Sequence, residues 1–167
     1  MRPTIPLSHW KIAVNLQETR AIQRNPGMLA TNCKCAHCEN WRLVFNEVLP
    51  KKLISELERI GISPGYPSDS YGGRPKDGIA DFRVWYHVVG KILSGPSVWM
   101  QKELGGESEN VRNYTTLEEH PYFVSLAIQS QEQFYDPAPE LDIDISGKLI
   151  QIDFRTEVPW RLSRMPL

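Results

Sequence analysis

The stretch Phe82-Arg83-Val84-Trp85-Tyr86-His87-Val88-Val89-Gly90-Lys91-Ile92-Leu93 decides the fold. β-Branched and aromatic residues fill it, and they suit a pleated, half-buried surface. Successive side chains of a strand point to opposite faces, so Phe82, Val84, Tyr86, Val88 and Ile92 share one side. Arg83, Trp85, His87, Val89 and Lys91 share the other. It is the longest candidate for a central strand. Gly90 inside it predicts a bulge or a close approach of another backbone, and Ser94-Gly95-Pro96 ends it.

Upstream, residues 61–80 hold five glycines and three prolines with few apolar side chains. They predict a long surface loop, of a length often used as a lid. Before it, Trp41, Val44, Phe45 and Val48 fall at i, i+3, i+4 and i+7, a single apolar stripe on a helix opened by Glu39 or Asn40. Pro50 suits a first helical turn, and Leu53, Ile54, Leu57 and Ile60 continue the stripe until Gly61 caps it. Two helices therefore meet at a corner. Nearer the N-terminus, Trp10, Ile12, Val14 and Leu16 alternate as a first strand, and Asn25-Pro26-Gly27 supplies a turn.

Downstream, Val98 to Lys102 predicts a short edge strand, and residues 103–113, rich in glycine and charge, predict a loop. Tyr122, Val124, Leu126 and Ile128 restore period two. Leu141, Ile143 and Ile145, then Ser146-Gly147, then Ile150, Ile152 and Phe154 read as a hairpin with one apolar face. Its polar face carries Asp142, Asp144, Gln151, Asp153 and Arg155, and half-burial alone explains that alternation as a solvated surface. Short-looped strands and two adjacent helices give an α+β fold, a largely antiparallel sheet of five or six strands with two helices packed on one face. One domain spans residues 1–167.

At 167 residues the chain can bury roughly 70% of its unfolded surface, so it needs no disulfides. Hydrophobic residues make up 41% and charged residues 23%, as in ordinary globular proteins. A net charge of -1 and a pI near 6.4 supply no global attraction to phosphate backbones or anionic lipid, so no nucleic-acid partner is expected. No stretch approaches the about 20 apolar residues of a membrane span, and the first residues lack the apolar run of a signal peptide. A cytoplasmic, membrane-free protein is the expectation.

All three cysteines lie in Cys33-Lys34-Cys35-Ala36-His37-Cys38. An odd, clustered set makes no intramolecular disulfide framework and fits a reducing compartment. A Cys-x-Cys-x-x-Cys segment lets a short loop wrap three thiolates around one ion, and zinc prefers four tetrahedral Cys or His ligands. Cys33, Cys35 and Cys38 are thus candidate zinc ligands, and the missing second Cys-x-x-Cys pair leaves the fourth ligand distant or water. His37 is awkwardly placed beside Cys38. His87, held on the central strand, is the better candidate, with His9 and His120 as alternatives. Free thiols packed as small apolar residues are the bland alternative. Cys35 and Cys38 also make a Cys-x-x-Cys pair, but the following helix leads into another helix rather than a βαβ unit. Cys38 near a helix N-terminus suits a nucleophile as well as a ligand. Trp10 and Trp41 sit at core phases, whereas Trp85, with Arg83 and His87, fits an aromatic and cationic binding wall, and Trp99 a pocket.

Asn25-Pro26-Gly27, the knot Cys33 to Cys38, Gly61-Ile62, Trp85-Tyr86-His87 with Gly90, and Pro159-Trp160 together resemble an uncharacterised family of short bacterial proteins. The resemblance implies one domain and no particular reaction. The residues themselves lead to a zinc-binding domain that recognises a protein partner or a small molecule. The rival is a metal- or thiol-dependent enzyme in which the knot works with a histidine and the loop of residues 61–80 closes over the site.

Overall fold

In the computed structural model, which describes residues 4–25, 28 and 33–167, the central strand runs from Ile79 to Ser94. In chain order the elements are β1 (Thr4–Leu7), β2 (Trp10–Val14), α1 (Leu16–Ile22), α2 (Ala36–Val48), α3 (Lys51–Arg59), β3 (Asp69–Gly72) and β4 (Ile79–Ser94). Then follow β5 (Trp99–Leu104), β6 (Glu107–Arg112), β7 (Thr115–Glu118), β8 (Val124–Ser130) and β9 (Lys148–Pro159). One curled antiparallel sheet has the order β1-β2-β4-β9-β8-β7, with β3 also on β4, and β5-β6 form a separate hairpin. β9 pairs along β4 from Gly90 to Ile79. The other edge of β4 is shared, Phe82 to Trp85 with β3 and Gly90 to Ser94 with β2.

The alternation along β4 divides the molecule. Phe82, Val84, Tyr86 and Val88 join Trp41, Val44 and Val48 of α2 and Leu53 and Leu57 of α3 in the main core, with Ile152 and Phe154 of β9. Each such buried side chain contributes about 1.5–3 kcal/mol of transfer free energy. Trp41 and Tyr86 keep their polar ends satisfied there: the Trp41 Nε1 donates to the Pro64 carbonyl at 2.9 Å, and the Tyr86 hydroxyl also donates to that carbonyl. The opposite face carries a smaller cluster of Ile22, Met28, Val89 and Leu149.

Of the two properties expected of Gly90, the close backbone approach is the one found, and the irregularity of the ladder lies three residues on, opposite Leu93. A Cβ at Gly90 would lie 2.1 Å from the Ala13 carbonyl oxygen, so only glycine lets β2 approach. α2 and α3 meet at the corner made by Leu49 and Pro50. Trp10 and Trp41 are buried, as their phases require.

Several expectations are corrected. A third helix, α1, begins where the first strand was extended to Leu16, because the Asn15 side chain accepts the Glu18 N–H at 3.2 Å and caps it. Residues 61–80 are not loop throughout: β3 pairs with β4 through backbone bonds that ask little of its Asp-Ser-Tyr-Gly sequence. Residues 103–113 contain β6, turned back on β5 at Gly105-Gly106, both at positive φ as a tight hairpin demands. Residues 141–145 form no hairpin with 150–154. β9 pairs instead with β4 and β8, and Leu141 and Ile145 pack as coil on the smaller cluster, which is why they are apolar. Pro26 and Gly27 of the early turn lie outside the described residues. Among the described residues no helix is long and apolar enough to cross a membrane.

Candidate metal centre

The chain enters α2 through the cysteine knot. Cys35 is the N-cap, its sulfur accepting the Cys38 N–H at 3.4 Å, so the helix begins earlier than Glu39 and carries Cys38 in its first turn. The Sγ atoms of Cys33, Cys35 and Cys38 all lie within 4.8 Å of one another. With Zn–S bonds of about 2.3 Å, the sulfurs of a tetrahedral site stand about 3.8 Å apart. The knot is thus within a small contraction of a three-sulfur ligand set, and it can hold a metal ion.

Neighbouring elements hold the loop in place. Arg42 Nη2 donates to the Cys33 carbonyl at 3.1 Å, and Arg164 Nη2 donates to the Lys34 carbonyl at 3.0 Å and to Glu39. The Cys38 sulfur lies 3.5 Å from the Ser70 hydroxyl on β3. Asn40 is buried and clasps the C-terminal segment, donating to the Pro159 carbonyl at 2.9 Å and accepting the Arg161 N–H at 2.8 Å. The terminal Pro159-Trp160 therefore closes over the start of α2.

The thiols differ in electrostatics. Burial pushes Cys38 up to about 12, more than its bond to Ser70 can offset. Burial opposes ionisation of Cys35 too, yet the N–H groups of Cys38 and His37 and the neighbouring thiols bring its pKa below the ordinary thiol value. Cys35 is also the exposed member of the three, and Cys38 the buried one.

The histidines do not join the sulfurs. His87 is the principal correction: its position on β4 alternates with the core row, so its ring lies on the opposite face of the sheet from α2, packed 5.4 Å from Phe134. Among the described residues only the three cysteines form a group of ligand atoms. His37 Nε2 lies 3.1 Å from the Gly73 carbonyl, and its ring stacks on Phe82 and meets Trp160 edge-on. Gly72 makes room for that ring, since a Cβ there would sit 2.2 Å from it. His9 and His120 are exposed in turns.

The sheet face that carries His87 has its own chemistry, part of it missed by the sequence reading. Asp153 was expected to be solvated, but it is fully buried. Arg83 Nε and Nη2 grip its carboxylate at 2.7–3.2 Å, Arg112 Nη1 reaches it at 2.6 Å, and Gln151 Nε2 donates at 3.3 Å. Asp136 bridges the same two arginines. Burial opposes the charge of Arg83, but Asp153 and Asp136 hold it firmly protonated. The Arg83 guanidinium lies 4.3 Å over the Trp85 ring, the cationic and aromatic wall expected of those residues. Beyond Arg83 opens a cleft of about 760 Å³ that Arg112, Arg155, Tyr114 and Phe123 also line. Alternation marked Asp153 as polar, but nothing local shows that the hairpin β5-β6 and the coil at Asp136 fold over it.

Comparison with known proteins gave no match: no family model, no curated protein and no solved structure resembles this chain.

Proposed function

We propose that this chain is a zinc-binding domain of the cytoplasm, in which Cys33, Cys35 and Cys38 hold one ion at the start of α2. The single observation that carries the reading is the mutual approach of the three Sγ atoms within 4.8 Å. Soft thiolates favour zinc over hard cations, and the positive end of a helix favours their negative charge. The fourth position falls to water or to a partner's side chain. Bound there, the ion ties the loop before α2 to β3 beside it, and recognition of a protein partner or small ligand uses the polar sheet face.

Element analysis of protein purified without chelator or metal-affinity tag tests this. The expected result is about one zinc per chain, lost in Cys35→Ser and Cys38→Ser. Absence of stoichiometric metal with all three thiols titrating freely overturns it. A second reading, a metal- or thiol-dependent enzyme, is favoured by Cys35, exposed and with a lowered pKa at a helix N-terminus. Against it stands the lack of a histidine nitrogen in the sulfur group among the described residues. Metal-free protein in which Cys35 is alkylated much faster than Cys33 would favour the enzyme.

A further inference from the structure

The floor of the cleft of about 760 Å³ is set by strand register. Tyr71 of β3 pairs with Arg83 of β4, Arg83 with Arg155 of β9, Arg155 with Ser125 of β8, and Ser125 with Thr116 of β7. Two residues along β4 and β9, on the same face, Asp81 stands opposite Glu157. All of these residues line the cleft, the hairpin β5-β6 walls it with Met100 and Lys102, and Tyr114 and Phe123 add aromatic rings.

Like charges directly opposite one another weaken a ladder, and this floor has two such pairs in succession, Arg83 with Arg155 and Asp81 with Glu157. The protein neutralises only part of that charge. Arg83, and Arg112 beside it, are matched by Asp153 and Asp136. Arg155, Lys102, Asp81 and Glu157 are exposed, and among the described residues none of them belongs to an ion pair. The Arg155 guanidinium rests instead over the Tyr114 ring, 5.6 Å from its centre.

The charge left for a ligand is therefore of both signs, in adjacent rows. An anion drawn to Arg155 and Lys102 meets the carboxylates of Asp81 and Glu157, and a cation drawn to those carboxylates meets Arg155 and Lys102. A molecule that carries both charges satisfies both rows. Two residues of a strand rise about 6.6 Å, so the opposite charges of the ligand stand roughly that far apart, as in a zwitterion of dipeptide length and not in a single α-amino acid. Tyr114, Phe123 and Met100 give its apolar part a wall.

We propose that this cleft binds a short zwitterion, its carboxylate on Arg155 and its ammonium on Asp81 and Glu157. The proposal rests on the reading that the polar sheet face recognises a small ligand, and not on the zinc, since the cleft shares no residue with the metal centre.

Calorimetric titration of the full chain with 6-aminohexanoate, and in parallel with hexanoate and with n-hexylammonium chloride, separates the paired charges from either one alone. The expected result is saturable binding of 6-aminohexanoate with a Kd on the order of 1 mM, and binding of each singly charged probe weaker by about tenfold or more. Arg155→Gln, and Asp81→Asn combined with Glu157→Gln, change only exposed side chains, so the fold should stand, and each should weaken binding of 6-aminohexanoate by about tenfold. In the unaltered protein the Tyr114 ring resonances should shift along the same titration, a readout that does not depend on the variants. Hexanoate or hexylammonium binding as tightly as 6-aminohexanoate would leave a face that recognises small ligands and overturn the zwitterion. Full affinity in either folded variant, unmoved Tyr114 resonances, or no saturable binding of 6-aminohexanoate would also overturn the proposal, while the zinc content of the same sample reports on the metal centre separately.

Discussion

Asp153 and Ile152 are neighbours on β9, both fully buried, and they face environments with opposite demands. Ile152 points into the apolar core, where a carboxylate has no partner, so Ile152→Asp should prevent folding or cost most of the stability. Asp153→Ala instead strips two arginines of a shared carboxylate. Breaking a buried pair this way costs about 3–5 kcal/mol, softened here because Asp136 still holds both guanidiniums. Denaturant titration should rank Ile152→Asp below Asp153→Ala, and Asp153→Ala well below the parent. His87 predicts a pH dependence. Burial lowers its pKa from 6.5 to about 4, so between those values the unfolded chain binds a proton that the folded one refuses. Stability therefore rises with pH across that window and falls as pH drops from about 6.5 towards 4, by on the order of 3 kcal/mol. Of the carboxylates that line a cleft with His87, burial raises Asp69, whereas Arg83 and Arg112 hold Asp136 below its ordinary value despite its burial. His87→Gln should flatten the slope between pH 4.5 and 6.5 in urea melts followed by circular dichroism.

At the scale of elements, β3 is the piece that joins the two sides of the sheet. Its register on β4 puts Ser70 and Gly72 with Val84 and Phe82, facing the cysteine knot and His37. Asp69 and Tyr71 go with Trp85 and Arg83 on the polar face. A strand of four residues with no apolar alternation is invisible to periodicity, and its pairing is decided by the free edge of β4. The edge beyond it belongs to β2, and Gly90 permits that approach. Gly90→Ala drives a Cβ into the Ala13 carbonyl, and overpacking of this kind costs about 1–3 kcal/mol. The loss should appear as faster hydrogen exchange of the β1-β2 amides before that of β8-β9. By contrast α2 was readable, because Trp41, Val44 and Val48 meet the core at the helical period. Only its start was misplaced, since a cysteine at the N-cap is not among the residues that announce one.

For the molecule as a whole, ion binding at the knot should be coupled to folding. A ligand that binds only the native state adds about 2.7 kcal/mol at one hundred times its Kd. Added zinc should therefore raise the thermal midpoint of demetallated protein, a chelator should reverse it, and Cys38→Ser should remove the response. The sequence by itself determined the fold class, the core faces of α2, α3 and β4, the close approach at Gly90 and the clustering of three thiols. Each of these depends on spacing along the chain, which local geometry converts directly into a shared face or a shared loop. Only the tertiary structure decided that His87 lies across the sheet from the cysteines, that Asp153 is buried between two arginines, and that Leu141 and Ile145 pack as coil on the smaller cluster instead of pairing with β9. Those outcomes depend on which strand edges find each other and which loops fold over a face, and contacts between residues far apart in sequence leave no period to read.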